Sequence, residues 1–353
     1  MSTSMQLFAP DTEQKAADTR QMQANAVYFR LIALWVFCEA MLGGIIHGFR
    51  LPVSGLVVGS CAVICIALIG WYAPARGAII KATLIVAIFK MMLSPQAPVT
   101  AYIAVFFQGL LGELLFLNKK YYRAACLTLA VLALLESALQ RVLVLTLVYG
   151  KDLWEVLNNS IYRLGGSQHT DYSYFIILWY VLLHLIVGVL VGIWTGFLPQ
   201  RIQLLGHVQQ KYHIEPEAAD SGVARKKKRK TIFQRIFFVI WIALLIAWLM
   251  SVLHIGKPLM PAHASLRILI RSSVIILTWY FLAGPLLKTL LQKWLLQKKH
   301  QSSTYVQQVV MQLPFTRHLV LKSWKLSAGA RGISRIFLCC RIILANTFHN
   351  VNA

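Results

Sequence analysis

Residues 174–198 read YFIILWYVLLHLIVGVLVGIWTGFL and contain no Asp, Glu, Lys or Arg. A helix needs about 20 apolar residues to cross the hydrocarbon core of a bilayer, because each residue adds about 1.5 Å to a path of about 30 Å. This stretch is long and apolar enough for that path. It therefore predicts a transmembrane helix, and the rest of the chain repeats the pattern.

Further apolar stretches are separated by charges or by Pro and Gly, and each predicts another crossing. The predicted spans are 27–46, 51–70, 77–93, 100–117, 124–149, 174–198, 232–253 and 266–287. The composition agrees, with 58% hydrophobic and only 13% charged residues and a mean hydropathy of +0.63. We predict an all-α fold, a polytopic membrane bundle of about eight transmembrane helices followed by cytosolic amphipathic helices.

The charges predict the orientation of this bundle. The chain has 35 Lys and Arg against 12 Asp and Glu, a net charge of +23. Alternate loops and the two ends place 23 Lys and Arg on one side of the predicted bundle and 4 on the other. The positive-inside rule then predicts an integral protein of the cytoplasmic (inner) membrane with both termini in the cytosol. The polar stretch before residue 27 shows no signal-peptide pattern.

The basic run RKKKRK at residues 225–230 marks an internal boundary. Between two predicted spans on the cytosolic side, such a run is typical of a topology anchor near anionic lipid, and we predict no nucleic-acid partner. We predict a cytosolic tail at 1–26, a six-span substrate-binding-like bundle at 27–198 and a basic linker at 199–231. A two-span hairpin follows at 232–288, and cytosolic amphipathic, coupling-like helices occupy 289–353.

Several kinds of catalytic site are missing from the sequence. It contains no G-x-x-x-x-G-K-[ST], G-x-G-x-x-G, H-E-x-x-H or G-x-S-x-G motif. We therefore predict a protein that is not an enzyme, with no cofactor or metal of its own and ATP used only through partner subunits. An intramembrane enzyme that uses Glu113 or Glu136 is an alternative. The six cysteines are interpreted as small hydrophobic residues, although adjacent Cys339 and Cys340 could also form a redox or lipidation site.

Ionisable side chains within predicted spans are costly in hydrocarbon unless they pair or face a wet cavity. One interpretation is a polar substrate cavity near the outer side, to which the predicted loop after the fifth span adds aromatic residues. The candidate substrate-binding residues are Glu39, Lys90, Glu136, Gln140, Arg141, Trp154 and Tyr172. The other interpretation is a set of interhelical ion pairs that fix the packing, and the sequence leaves both open.

Apolar residues at the C-terminus repeat at helical spacing. Tyr305, Val306, Val309, Val310 and Leu313 predict one face of a surface helix. A second apolar stripe contains Ile333, Ile336, Phe337, Cys340, Ile343 and Leu344, with Arg331 and Arg335 on the opposite face. Two basic amphipathic helices suit either a docking platform for another protein or a layer on anionic lipid.

The front part of the chain resembles the substrate-binding membrane subunit (S component) of energy-coupling factor (ECF) importers. The likeness lies in residues 51–116, LPVSGLVVGSCAVICIALIGWYAPARGAIIKATLIVAIFKMMLSPQAPVTAYIAVFFQGLLGELLF. A short Pro-containing first loop precedes this Gly/Ala-rich second span, which is followed by Pro74, Ala75, Arg76, Gly77 and Ala78. The Pro-rich loop SPQAPV then precedes a Gly-containing fourth span.

The C-terminal part resembles the transmembrane coupling (T) component of the same importers. Leu313 and Pro314 are followed by a basic amphipathic segment and then by Ala330, Arg331 and Gly332. In that family an Ala-Arg-Gly sequence at the end of a long cytosolic helix docks on the ATPase. The resemblance implies a docking role for Ala330, Arg331, Gly332 and Arg335.

Together the two resemblances imply vitamin uptake or a similar transport. The expected function is a membrane component of an ECF-type importer that binds and translocates a small nutrient. The implied partners are P-loop ATPase subunits, a small-molecule substrate, membrane lipid and, as an option, a separate transmembrane coupling subunit. The alternative is a non-transporting membrane scaffold whose basic tail binds lipid or another protein.

Overall fold

The computed structural model describes residues 9–43, 54–73, 75–94, 97, 99–163, 171–214, 284–301 and 303–348, with single positions between 266 and 278. Every regular element in these ranges is a helix, and no strand occurs in them. The predicted all-α class is therefore confirmed for the described part of the chain.

The helices of the front part overlap the predicted spans, although the first of them begins at Ala9, within the predicted tail 1–26. They are α1 (Ala9–Val36), α2 (Ser54–Tyr72), α3 (Ala78–Leu93), α4 (Val99–Leu115), α5 (Tyr122–Tyr149), α6 (Asp152–Arg163) and α7 (Tyr172–Gly196). Each of the six spans predicted between residues 27 and 198 overlaps one of these helices. The additional helix, α6, occupies what the sequence predicted as an outer loop.

Among the described residues, four helical stretches are long and apolar enough to cross a membrane. They are Gln23–Leu42, Ser54–Tyr72, Lys119–Tyr149 and Tyr172–Gly196. The helices α3 and α4 have 16 and 17 residues, which gives each about 25 Å of length, short of a bilayer core of about 30 Å. The predicted span 232–253 and part of 266–287 lie outside the described residues. The structure thus supports a membrane protein with four candidate spans among the described residues, whereas about eight were predicted for the whole chain.

Helix α2 lies at the centre of the bundle and contacts α1, α4, α5 and α7. Its residues Ala62, Ile66 and Ile69 are completely buried and share one apolar core with Leu31 and Trp35 of α1. Contacts with helices on several sides therefore give α2 its central position, although Val57 and Trp71 near its two ends remain exposed.

Three glycines allow α7 to pack closely against α5. A Cβ atom built at Gly188 would lie 3.1 Å from the Cα atom of Val131, and one at Gly192 would lie 2.7 Å from the Cα atom of Leu127. The third, Gly196, lies against Arg123 in the same way. Small residues spaced four apart let two membrane helices bring their backbones together. The stripe makes α5 and α7 an antiparallel pair in close backbone contact.

The bundle has two ends, which we name by the helices found there. At the α6 end, the Ser94 hydroxyl donates to the carbonyl of Ala40 at 2.7 Å, where α3 and the extension of α1 finish. At the opposite end, which we name the α12 end after the C-terminal helix α12 (Gly332–Thr347), the Tyr28 hydroxyl donates to the carbonyl of Ala78 at 2.8 Å. The rings of Trp71 and Tyr122 also meet at that end, with centroids 4.7 Å apart.

The C-terminal helices pack on this bundle. They are α10 (Gly284–Gln301), α11 (Ser303–Leu326) and α12 (Gly332–Thr347), preceded along the chain by the short α8 (Leu198–Gln203) and α9 (Gly206–Lys211). Helix α10 lies against α3 and α4, and α11 lies against α1. The guanidinium of Arg30 donates to the carbonyl of Thr347 at 3.2 Å, which attaches the end of α12 to the bundle.

The predicted linker begins with ordered structure. Leu198, Ile202 and Leu205 are buried in the main core, which explains why α8 and α9 pack against the bundle. The Asn346 side chain of α12 accepts from the backbone N–H of Ile214 at 2.9 Å and donates to the carbonyl of Tyr212 at 3.0 Å. The remainder of the predicted linker, from residue 215, lies outside the described residues.

Candidate functional site

An ion pair between α1 and α3 is buried inside the bundle. Lys90 Nζ donates to Glu39 Oε2 at 2.7 Å, and the two residues are 3% and 4% exposed. The Lys90 ammonium also donates to the carbonyl of Ala101 on α4 at 3.3 Å. Two sequence-predicted site residues, 51 positions apart along the chain, are therefore direct partners.

Local structure places both charges at the α6 end. Glu39 lies in the six-residue π-helical stretch Phe37–Leu42 that extends α1. π-Helical turns are rare in proteins, and where they occur they often lie at functional sites. Lys90 lies in the last turn of α3, where the partial negative charge of the helix C-terminus favours a cation.

Gln140 reaches the same turn of α4 from another side. Its side-chain amide donates to the carbonyl of Thr100 at 3.1 Å, next to the Ala101 carbonyl that Lys90 contacts. The start of α4 is thus held by α3 and α5 together. We name Glu39, Lys90, Ser94 and Gln140 the polar cluster. Its hydroxyl member, Ser94, was not among the predicted site residues.

Other buried polar atoms have unused hydrogen-bonding capacity. Glu136, one turn before Gln140, is half-buried, and its Oε2 has no hydrogen-bond partner among the described residues. The same holds for Oε1 of Gln108, a residue that is 3% exposed, and for Nε2 of His184. Arg141 is half-buried beside Gln140 in the chain. A polar ligand could use such atoms, because a buried unpaired acceptor is costly.

Trp154 and Tyr172, predicted as ligand residues, belong to the junction of α6 and α7. The indole of Trp154 donates to the Thr146 hydroxyl at 3.2 Å. The Ser173 hydroxyl donates to the carbonyl of Trp154 at 2.7 Å and to Asn158 Oδ1 at 2.8 Å. These bonds fix α6 against the adjoining ends of α5 and α7.

Two grooves lie on the surface of the described part of the bundle. A groove of about 430 Å³ between α6 and α7 is lined by Tyr172, Phe175, Trp179 and neighbouring apolar residues. A second groove of about 340 Å³ lies between α1 and α11. Neither groove is lined by a member of the polar cluster. A ligand that binds the Lys90 ammonium in place of Glu39 would have to part these two side chains.

Glu113, considered above as a catalytic carboxylate, caps a helix. Its Oε1 accepts from the N–H of Gly77 at 2.6 Å, and its Oε2 accepts from the N–H of Ile79 at 3.1 Å. Gly77 has a φ of +80°, a backbone conformation that glycine adopts without strain. A carboxylate at a helix N-terminus accepts hydrogen bonds from the free N–H groups there and interacts favourably with the helix dipole. The observed geometry assigns Glu113 a structural role in positioning α3.

We predict that Glu113→Gln lowers the free energy of unfolding by about 1–2 kcal/mol, because a neutral amide loses the charge and at least one of the two accepted bonds. Equilibrium unfolding in detergent micelles measures the change. The control is Glu155→Gln, an exposed carboxylate in the first turn of α6, where loss of a solvent-screened interaction with the helix dipole should cost about 0.3–0.5 kcal/mol. Equal effects of both substitutions would contradict the capping role.

The residues predicted to dock an ATPase surround the turn before α12. Arg331 is exposed and has extended backbone, and Gly332 follows with a φ of +57°. Arg335, the other arginine predicted to dock the ATPase, contacts α11. Its guanidinium lies 4.2 Å from the ring centre of Trp324 and donates to the Trp324 carbonyl at 3.2 Å. Of the two predicted docking arginines, the one with the exposed side chain is Arg331, while Arg335 joins α11 to α12.

The adjacent thiols of α12 are poorly suited to redox chemistry or lipidation. Burial raises the pKa of the Cys340 thiol to about 12 and also raises the pKa of Cys339. At neutral pH both therefore remain protonated, and the thiolate is the reactive form. In the described part of the chain, no three His, Cys, Asp or Glu side chains gather to hold a metal ion.

Comparison of the chain with protein-family models, with curated proteins and with solved structures finds no match.

Proposed function

We propose that the protein is a membrane component of an ECF-type importer that binds a small, vitamin-like nutrient and translocates it with energy from separate ATPase subunits. The polar cluster at the α6 end carries this proposal. It joins α1, α3, α4 and α5 through Glu39, Lys90 and Gln140, inside a mainly apolar bundle. Charged groups inside a membrane bundle are costly and often mark a substrate pathway.

A ligand with a carboxylate or another acceptor would compete with Glu39 for the Lys90 ammonium. Its donor groups would then be available to the freed Glu39 carboxylate. The unpaired oxygen atoms of Gln108 and Glu136 offer two more acceptors in the bundle. This exchange favours a small ligand that carries both donors and acceptors, because an apolar ligand would leave both charges unpaired.

The opposite end of the bundle suits the ATPase partner. Arg331 is exposed there, in the turn that precedes α12. A guanidinium can hold a carboxylate with two parallel hydrogen bonds, which Lys cannot reproduce. In this proposal the α12 end faces the cytosol of the inner membrane, ATP is bound only by the partners, and a separate coupling subunit is optional.

The substitution Arg331→Glu is expected to abolish co-purification of the ATPase, because it replaces the docking cation by a repelling charge. Ligand binding should persist, since the polar cluster lies at the other end. The control is Arg201→Glu, another charge reversal at an exposed residue of the α12 end, and it should leave co-purification intact. Affinity purification from the native host with quantitative mass spectrometry provides the readout. Unchanged ATPase recovery with Arg331→Glu would overturn the docking role.

One observation favours the alternative, a membrane scaffold that transports nothing. Glu39 and Lys90 already satisfy each other at 2.7 Å, and neither groove reaches them. In a scaffold this ion pair would only specify how α1 packs against α3. Such a protein would purify without ligand and without ATPase.

A further inference from the structure

The most apolar face of α12 is only partly covered by the protein. Ile336 and Phe337, which the sequence places on this face, are 55% and 51% exposed. The opposite side of the helix is buried through Cys339, Ile342 and Ala345. Large apolar side chains that are exposed together on one helix face mark a binding surface. The first half of α12 therefore offers its apolar face to a binding partner.

The neighbouring helix α11 exposes a similar face. Arg317, Leu321, Trp324 and Lys325 fall within about 100° of one another at 3.6 residues per turn. Leu321 is 53% exposed and Trp324 is 48% exposed, while Arg317 and Lys325 are also exposed. This face therefore combines apolar groups with cations.

A side-chain contact joins α11 to α12. The guanidinium of Arg335, on the face of α12 opposite the apolar stripe, stacks on the Trp324 ring and donates to the Trp324 carbonyl. The contact links α11 with α12 beyond the short turn Ser327–Gly329. We name the two exposed faces together the hairpin face, defined by Arg317, Leu321, Trp324, Lys325, Ile336, Phe337 and Arg341.

The hairpin face lies where a candidate membrane span ends. The ring of Phe337 is 6.4 Å from that of Trp194, two residues before the end of the span Tyr172–Gly196. Apolar side chains of that span are exposed beside Trp194, for example Ile193. The exposed apolar groups of α12 thus continue the apolar surface of α7 at its end, which is the level of lipid head groups.

The charges of this region have one sign. No Asp or Glu occurs after Asp220. The charged side chains of α10, α11 and α12 are therefore all basic. Arg341 is exposed on the same side of α12 as Phe337. A surface with this charge complements a layer of phosphate groups and repels a basic partner.

From these observations we propose that the hairpin face binds anionic phospholipid at the membrane surface. Trp324, Leu321, Ile336 and Phe337 enter the boundary between head groups and acyl chains, while Arg317, Lys325 and Arg341 contact lipid phosphates. Amphipathic helices with apolar and basic groups bind anionic membranes in this way. This inference does not depend on the proposed importer function, and the docking residue Arg331 is not part of the hairpin face.

The test uses the full chain in lipid nanodiscs made either of phosphatidylcholine alone or of phosphatidylcholine mixed with phosphatidylglycerol. Hydrogen exchange followed by mass spectrometry reports local opening of peptides that cover residues 317–341. Each basic residue near an anionic surface is worth about fivefold in binding. We expect exchange in these peptides to be at least about fivefold slower with phosphatidylglycerol.

The triple variant Arg317→Gln, Lys325→Gln and Arg341→Gln should remove that difference. A second triple variant, Lys119→Gln, Lys120→Gln and Arg201→Gln, changes as many exposed cations at the same end but outside the hairpin face, and should keep it. Equal exchange in both lipids, or equal loss in both triple variants, would overturn the proposal. Protection that requires a co-purified protein and no anionic lipid would also overturn it and would identify a protein partner.

Discussion

Replacement of Lys90 by Met is expected to lower the free energy of unfolding by about 3–5 kcal/mol, because it leaves Glu39 as a buried carboxylate without its cation. Both residues are almost fully buried, and the ammonium contacts Glu39 at 2.7 Å. The carbonyl of Ala101 loses a donor in the same substitution. The effect is measured by equilibrium unfolding in detergent micelles or by the loss of folded protein on heating.

The double variant Glu39→Met with Lys90→Met is the control for this prediction. It removes both charges and replaces them by apolar groups of similar size. Such a replacement of a buried ion pair is often neutral in stability. We expect the double variant to recover most of the loss. A double variant as unstable as Lys90→Met alone would mean that the packing of the Lys90 chain matters more than the charge pair.

Gly192→Leu is expected to destabilise the bundle by about 3 kcal/mol or more, because the new side chain has no space. Even a Cβ atom there would lie 2.7 Å from the Cα of Leu127 and 3.1 Å from the carbonyl oxygen of Cys126. Both are backbone atoms of α5 and cannot move away as a flexible side chain could. The substitution therefore forces α7 and α5 apart along their whole contact. Folded yield and thermal unfolding in detergent provide the measurement.

The control for this substitution is Gly206→Leu. A Cβ atom built at Gly206 meets no atom within 4 Å, so the same change should alter stability by no more than about 0.5 kcal/mol. If Gly192→Leu were tolerated equally well, the close contact between α5 and α7 would not exist in the membrane.

The sequence predicted the front helices well because hydrophobicity is a local property. The length of an apolar stretch and its bounding charges determine where a membrane helix can lie. The additional helix Asp152–Arg163 was missed because it is short and rich in polar residues. Its place is determined by hydrogen bonds to Thr146, Ser173 and Asp171, which no local pattern reveals. The glycines at 188, 192 and 196 were visible in the sequence as a G-x-x-x-G repeat.

The site was less predictable because its contacts join distant parts of the chain. Glu39 and Lys90 could be recognised as costly residues within apolar stretches, but their pairing depends on how α1 and α3 cross. The same limit applies to Glu113, whose carboxylate caps a helix more than 30 positions earlier. At the C-terminus, the apolar stripe of α12 followed from periodicity. Periodicity alone did not show that Ile336 and Phe337 stay exposed.

Native mass spectrometry of the full chain, purified in mild detergent from its own host without any stripping step, tests the proposed importer function most directly. It weighs the intact complex and identifies each small molecule and protein that remains bound. The proposal predicts a bound vitamin-like molecule that carries donors and acceptors, together with an ATPase subunit. A protein that is free of both, purified from cells supplied with such nutrients, would contradict it and favour the membrane scaffold.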